Sequence, residues 1–265
     1  MGISLDTARA LAEQFAQRGI TGRALTLGKQ DLDFTLQQLL LTMSRLGLVT
    51  VNGSAINVSP HQKAVLDEYR ANGRMLSRKP QQANAGILSD EFFFRLVGFS
   101  EVRSVDNSTY ENADFVHDLN LTGMSATVGT FDFIYDGGTM EHVFHTPNVL
   151  RNIFETLNVG GTILHHSPTN NYVDHGFYQF SPTFFYDYYH ANVYADVAVA
   201  LGRNGGGLGL GAKYHPGMFD KFPPGSLDGA IYGTECYAKK TAASTFDRIP
   251  QQGEYVRVWA GGGRS

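Results

Sequence analysis

Acidic residues and glycines stand where buried strands are predicted to end, and together these residue types can hold a nucleoside. Gly28 ends one apolar run, Asp106 and Asp118 follow two later runs, and a third is closed by Asp136-Gly137-Gly138. A carboxylate can accept hydrogen bonds from both hydroxyls of a ribose, and a glycine lets the backbone approach a ligand closely. These positions therefore predict a binding cleft.

Each of these residues also has an ordinary structural interpretation. A strand-end aspartate often accepts hydrogen bonds within a turn. The valine-rich strand before Asp106 favours the ligand role there. Asp118 stays ambiguous, because Asn120 could be the useful partner or both residues could cap a turn. Gly137 and Gly138 could serve close approach to a ligand or only a tight turn before a helix.

Histidines near these strand ends raise the question of a metal site. His142 and His145 lie three residues apart beside Glu141, and His165-His166 ends a predicted strand. The chain has no H-E-x-x-H or comparable ligand spacing. Adjacent residues of a regular strand also point to opposite faces, which separates His165 from His166. We therefore expect no metal site.

A histidine with a near-neutral pKa can instead act as a general base toward a hydroxyl or an amine. The candidates, in order, are His175, His166 and His145, and Asp136 is a carboxylate alternative. His142 is expected at the start of a helix, lining the pocket on the substrate side.

Aromatic residues between 177 and 189 could form a substrate wall. Tyr178 and Gln179 precede the helix start Ser181-Pro182 and are predicted to contact substrate, and Phe180 could face a cation. The aromatic residues after Ser181 follow helical spacing and are predicted to be core.

Helices and strands alternate from residue 89 onward, which predicts a parallel sheet with crossover helices. In such a sheet ligands bind outside the carboxyl ends of the strands, where helix N-termini point into a crevice. The predicted strands are residues 23–28, 101–106, 113–117, 131–136, 162–166, 193–201 and 231–239, and the predicted helices are residues 6–18, 31–46, 60–73, 90–97, 146–157 and 183–190.

About seventy residues separate the first predicted strand from Asp106, far more than one crossover helix needs. We interpret residues 31–85 as a helical insertion that covers the site or mediates dimerisation, within a single domain of residues 1–265. The glycine-rich run 205–211 does not follow a strand-to-helix turn, so it predicts a lid or disordered loop.

Composition and net charge limit the classes of binding partner that we expect. The 265 residues carry a net charge of −4, which gives no general attraction to nucleic acid or anionic lipid. Cys236 is the only cysteine and no apolar run reaches the length of a membrane span. We therefore expect a cytoplasmic protein with a small-molecule substrate and no nucleic-acid or membrane partner, and a homodimer is one option.

The order of these motifs resembles that of class I S-adenosylmethionine-dependent methyltransferases. The resemblance covers residues 22–30 and about 89–240 and rests on Ser104-Val-Asp106, Val116-His-Asp118-Leu119, Phe131-Asp-Phe-Ile-Tyr-Asp136-Gly-Gly-Thr-Met-Glu141-His-Val, Leu157-Asn-Val-Gly-Gly161, His175-Gly-Phe-Tyr-Gln-Phe-Ser-Pro182 and Thr234-Glu-Cys-Tyr-Ala-Lys239. It implies a Rossmann-like α/β fold with a mostly parallel seven-stranded sheet and helices on both faces, and S-adenosylmethionine as cofactor.

The resemblance also implies roles for residues. Asp106 would hold the cofactor ribose, Asp118 and Leu119 would lie near the adenine, and the Asp136-Gly137-Gly138 corner would approach the cofactor. Gly28 and Gln30 would lie at its methionine end. This first turn departs from the family pattern, because Thr26 stands where an acid is common and Gln30 where a second glycine is common. Side chains such as Gln30 replace the glycine cradle, or cofactor binding is weakened.

The expected activity is in-line methyl transfer to an oxygen or nitrogen of a small polar metabolite, with a sugar or natural-product intermediate as candidates. Two alternatives stay open. The same cofactor could serve a non-methyl transfer or cyclisation, or the chain could be a catalytically degenerate binding subunit.

Overall fold

A sheet buried on both faces forms the centre of this protein. The computed structural model describes residues 2–52, 55–203, 212–218, 225 and 227–260, so the glycine-rich run 205–211 lies outside the described residues. Four consecutive residues are buried at the end of the strand Gly22–Leu27, as are the last four of Phe131–Asp136. Helices cover both faces of a parallel sheet, which is why such strands are continuous apolar runs.

The described strands, in chain order, are β1 (Gly22–Leu27), β2 (Thr50–Asn52), β3 (Ala55–Asn57), β4 (Phe99–Asp106), β5 (Phe115–Val116), β6 (Phe131–Asp136), β7 (Leu157–Asn170), β8 (Ala195–Arg203), β9 (Ala212–Lys213) and β10 (Tyr232–Lys239). The described helices are α1 (Leu5–Arg18), α2 (Leu36–Arg45), α3 (Pro60–Asn72), α4 (Pro80–Asn84), α5 (Asp90–Leu96), α6 (Met124–Val128), α7 (Thr146–Thr156), α8 (Pro182–Ala191) and α9 (Gly253–Trp259), with a 3₁₀ turn at Met140–His142.

The main sheet has the order β5-β4-β1-β6-β7-β10-β8-β9. All neighbours from β5 to β7 are parallel, and β10 is antiparallel to both β7 and β8. One core cluster contains side chains of α1, α2, α3 and α5, and the other contains side chains of α6, α7 and α8. The predicted seven-stranded, mostly parallel sheet with helices on both faces is confirmed, and the two-residue β9 extends its edge.

Capping residues explain several helix boundaries. Ser59 accepts from the backbone N–H of Gln62 while Gln62 accepts from that of Ser59, and Pro60 occupies the first turn, as the sequence indicates. The predicted start of the second helix at Asp31 is wrong. α2 begins after Thr35, which forms a capping box with Gln38, and the Asp31 carbonyl accepts from the Ile3 N–H at 2.7 Å instead.

Between β1 and β4 the chain forms α2, the hairpin β2–β3, α3, α4 and α5. Leu39 and Met43 of α2 and Val65 of α3 are buried in the same cluster as α1. Lys79 joins two parts of the chain, because its Nζ lies 2.7 Å from Asp31 at the start of the insertion and 3.2 Å from Glu111 in the segment after β4. Its role as a cap or dimer surface stays a prediction.

Across the described part of the chain, no helix combines the length and apolarity that a membrane crossing requires.

The aromatic core under the insertion offers a test of the packing. Phe94 is fully buried, with ring centroids of Phe99 at 5.9 Å and Phe15 at 6.3 Å. Phe94→Ala leaves a cavity and is expected to lower the free energy of unfolding by about 3–5 kcal/mol in urea denaturation. The matched change Phe177→Ala removes a ring that is 66% exposed. It should shift stability by less than about 0.5 kcal/mol. Equal losses in both variants would contradict this packing.

Candidate functional site

Three adjacent parallel strands end at one cleft. Leu27 of β1 pairs with Val105 of β4 on one side and with Asp136 of β6 on the other, so the residues that follow lie at the same level. The cleft has a volume of about 500 Å³, and its lining includes Gly28, Asp106, Gly138, Thr139, His142 and His175. The predicted convergence of the first, second and fourth strand ends is therefore observed in the structure.

The backbone at residue 28 is in the left-handed region and leaves no room for a side chain, so this position requires glycine. Its φ is +71°, and a Cβ there would lie 2.9 Å from Oγ1 of Thr139. That hydroxyl donates to the Leu27 carbonyl at 2.6 Å, and the Gly28 N–H donates to the Val105 carbonyl at 2.7 Å. The turn is thus tied to both neighbouring strands, and its backbone faces the cleft.

Gln30 supports this turn from below. Its Nε2 donates to the carbonyl of Leu27 at 3.2 Å, and its backbone N–H donates to the Asp90 carboxylate at 3.0 Å. A Cβ on Gly137 would lie 2.5 Å from Gln30 Oε1, so the glutamine side chain occupies the space beside that glycine. Gln30 and Gly137 therefore shape the cleft without lining it, whereas Gly138 lies at its surface.

The two acidic residues that resembled nucleoside ligands are placed differently. Asp106 lines the cleft, and its Oδ1 accepts from the Asn107 N–H at 2.6 Å. Asp118 is not among the lining residues of that cleft. Its Oδ1 accepts from the backbone and side-chain amides of Asn120, both at 2.9 Å, and these hydrogen bonds lower the pKa of Asp118. Leu119 is buried in the core.

Asp136 lies beneath the cleft in a fully buried polar chain. Its Oδ1 accepts from the N–H groups of Thr139 and Met140, both at 3.1 Å. Its Oδ2 lies 2.7 Å from Nδ1 of His165, whose Nε2 lies 2.6 Å from the Tyr189 hydroxyl. Tyr189 donates to His165 and His165 donates to Asp136, which assigns the tautomer from the network. Both carboxylate oxygens are engaged, so this geometry does not support the predicted base role of Asp136.

Of the three histidines predicted as bases, His175 lines the cleft. His166 lies on β7 opposite Glu235 of β10, and burial lowers the pKa of His166 to about 4. The exposed His145 donates its backbone N–H to Asn120. Neither is among the residues that line the cleft.

Of the three residues predicted to contact the substrate, one lines the cleft and two do not. His142 lines the cleft, and it belongs to a 3₁₀ turn rather than to the start of α7. The Tyr178 hydroxyl donates to the Phe144 carbonyl at 2.9 Å, and Gln179 Oε1 accepts from the Tyr172 N–H at 3.0 Å. Tyr178 and Gln179 therefore shape the loop that carries His175.

A buried carboxylate that the sequence analysis considered beside His142 and His145, but did not assign to the site, lies at the histidine end of the cleft. Glu141 is fully buried, and burial together with the charge of Asp136 raises the pKa of Glu141 to about 8. Nε2 of His175 lies 3.7 Å from Glu141 Oε1, and the ring of His142 contacts that of His175 with centroids 4.8 Å apart. The Glu-His pair was visible in the sequence, but its partner His175 comes from a distant loop.

No protein-family profile and no curated relative matches this sequence. Among solved structures, the chain is similar to the 1,6-didemethyltoxoflavin-N1-methyltransferase of Burkholderia thailandensis, solved with 1,6-didemethyltoxoflavin and S-adenosylhomocysteine, at 13% identity and a TM-score of 0.41 over 89% of this chain and 79% of that one. It is similar to TehB of Haemophilus influenzae at 14% identity and a TM-score of 0.36 over 68% of this chain, which spans 62% of TehB. A third is the citrinin polyketide synthase CMeT domain, at 11% identity and a TM-score of 0.36 over 89% of each chain.

The hydrogen-bond network that links Tyr189, His165 and Asp136 leads to a prediction about stability. Tyr189→Phe removes the donor to His165 Nε2 and leaves that nitrogen buried and unpaired, which is expected to cost about 1–3 kcal/mol in chemical denaturation. Tyr194→Phe is the matched control, because its buried hydroxyl has no hydrogen-bond partner within the described part of the chain. That variant should be neutral or slightly more stable. If the Tyr189→Phe protein is as stable as the wild type, this hydrogen-bond network does not stabilise the fold.

Proposed function

We propose, from the premise that this chain has the class I methyltransferase fold, that it binds S-adenosylmethionine and methylates an oxygen or nitrogen of a small polar metabolite. The observation that carries the proposal is the placement of Gly28, Asp106 and Gly138 in one cleft at the carboxyl ends of β1, β4 and β6. The cleft volume of about 500 Å³ lies in the range of small-molecule sites.

The residues present fit the parts of this cofactor. The Asp106 carboxylate would accept from the ribose hydroxyls, and the open backbone at Gly28 would accommodate the methionine end. Lys29 also lines this cleft, and its Nζ lies 3.4 Å from the Asp90 carboxylate, so its charge is shared with that ion pair. Gln30 occupies the position where a second glycine is common and holds the Gly28 turn by hydrogen bonds to its carbonyls. This favours the interpretation that a side chain replaces the glycine cradle.

When bound, the cofactor would supply an electrophilic methyl group on its sulfonium. The protein would contribute mainly by orientation, since holding two reactants in contact removes a large entropic barrier. His142 and His175 line the cleft that also contains Gly28 and Asp106, so the acceptor is proposed to bind against these histidines. A sugar or natural-product intermediate fits a wall with this many polar groups, and residues 31–85 are proposed to cover it.

The first prediction of this proposal concerns Asp106. Calorimetric titration should show saturable binding of S-adenosylmethionine to the wild type. Asp106→Asn loses a charged acceptor for the ribose and should bind about 10–100-fold more weakly. Asp118→Asn is the control and should keep the wild-type affinity, because Asp118 caps its own turn. Absence of binding to the wild type would defeat the proposal. Turnover that releases methylthioadenosine instead of S-adenosylhomocysteine would indicate the non-methyl alternative.

Alanine substitutions at two glycines can distinguish the effect of backbone strain from the effect of a side chain placed in the cleft. Gly28 and Gly19 both have positive φ, of +71° and +64°, but a Cβ at Gly19 meets nothing within 4 Å. Gly19→Ala should lose about 1–2 kcal/mol of stability through backbone strain, and Gly28→Ala should lose at least as much because its Cβ also meets Thr139. Gly28→Ala should also weaken cofactor binding by at least about tenfold, because the new methyl group displaces Thr139. Cofactor affinity that falls equally in both variants would assign the effect to strain alone.

A further inference from the structure

A carboxylate and two histidines meet at the wall of the cleft with little hydrogen bonding to hold them. Glu141 is fully buried, and neither of its carboxylate oxygens has a hydrogen-bond partner among the described residues. Nε2 of His175 is likewise buried without a partner there, 3.7 Å from Glu141 Oε1. A buried carboxyl group whose oxygens lack hydrogen-bond partners is unfavourable in either protonation state, and coordination of a metal ion is one way to satisfy such a group.

The backbone around this cluster holds it in place. A Cβ on Gly176 would lie 2.8 Å from the Glu141 carbonyl oxygen, so the loop after β7 can approach the 3₁₀ turn only because this residue is glycine. The Tyr178 N–H donates to that same carbonyl at 3.2 Å. The Tyr172 ring stacks on His175 with centroids 3.9 Å apart and planes 8° apart. The imidazole is therefore positioned before any ligand arrives.

One ligand atom from each of Glu141, His142 and His175 lies within 4.8 Å of the other two. A cation with bonds of about 2.0–2.2 Å needs neighbouring donor atoms roughly 3–3.5 Å apart, which small side-chain rotations would achieve. We propose that Glu141, His142 and His175 bind a divalent transition-metal ion. Two imidazoles and one carboxylate suit Mn²⁺, Fe²⁺, Co²⁺ or Zn²⁺ and disfavour Mg²⁺ and Ca²⁺, which prefer oxygen ligands.

Three protein ligands leave further coordination positions open. His142 and His175 line the cleft, so these positions face the space assigned to the acceptor. The ion would hold an acceptor oxygen there and lower its pKa, which replaces the base role predicted for His175. This role rests on the proposed function, whereas metal binding itself does not.

The competing explanation is a plain ion pair in which a protonated His175 closes on Glu141. If the two groups form only an ion pair, His142 has no role in it and the cluster has no affinity for a metal ion. The exposed His142 therefore separates the two explanations. Its replacement does not threaten the buried core.

The test uses tag-free protein stripped with EDTA and titrated with Co²⁺, followed by visible absorption, and with Mn²⁺, followed by calorimetry. The wild type should bind one equivalent, with Mg²⁺ failing to compete. His142→Asn, His175→Asn and Glu141→Gln should each bind at least roughly tenfold more weakly. His145→Asn is the matched control, since its exposed ring is outside the cluster, and it should match the wild type.

Two results would overturn the site: no saturable binding of either ion by the wild type, or unchanged affinity in both His142→Asn and His175→Asn. If Glu141→Gln does not fold, the two histidine variants decide. Because these titrations contain no S-adenosylmethionine, they do not depend on the methyltransferase proposal. Metal binding without cofactor binding would support the site and contradict the methyltransferase, and cofactor binding without metal binding would overturn the site alone.

Discussion

The buried carboxylate of Asp136 organises the functional end of this molecule. One oxygen accepts from the N–H groups of Thr139 and Met140 and thereby closes the turn after β6. The other oxygen holds His165 of β7, which in turn contacts Tyr189 of α8. The turn closed in this way carries Gly138 into the cleft and leads into the 3₁₀ turn. A single buried carboxyl group, held by several hydrogen bonds, thus joins two strands, a helix and the cleft.

The cleft has two chemically different ends. At one end, backbone atoms and the Asp106 carboxylate face open space, and the supporting bonds from Gln30 and Asp90 lie below. At the other end, Glu141 and the imidazole of His175 are held by a glycine contact and by ring stacking. This division matches a proposed reaction in which one molecule is gripped and a second must be oriented against it.

Sequence periodicity and capping signals were sufficient for most of the fold, because they depend on neighbours close in the chain. The helix start at Pro60 and the convergence of Gly28 with Asp106 were both predictable, the latter because parallel strands end at a common edge. The start of α2 was not, since Asp31 is bound to the N-terminal segment. Nor could spacing show which strand-end acids reach the cleft. Asp118 caps its own turn, a distinction that depends on tertiary placement.

The position of β10 has a consequence for how the chain is made. This late strand lies inside the sheet, hydrogen-bonded to β7 on one side and β8 on the other. During synthesis from the N-terminus, β7 therefore presents an unpaired edge until residues 232–239 emerge from the ribosome. Open strand edges pair readily with other chains, so we expect nascent chains that lack β10 to be prone to aggregation. Nascent chains that stop short of Tyr232 are the species that chaperones would have to shield.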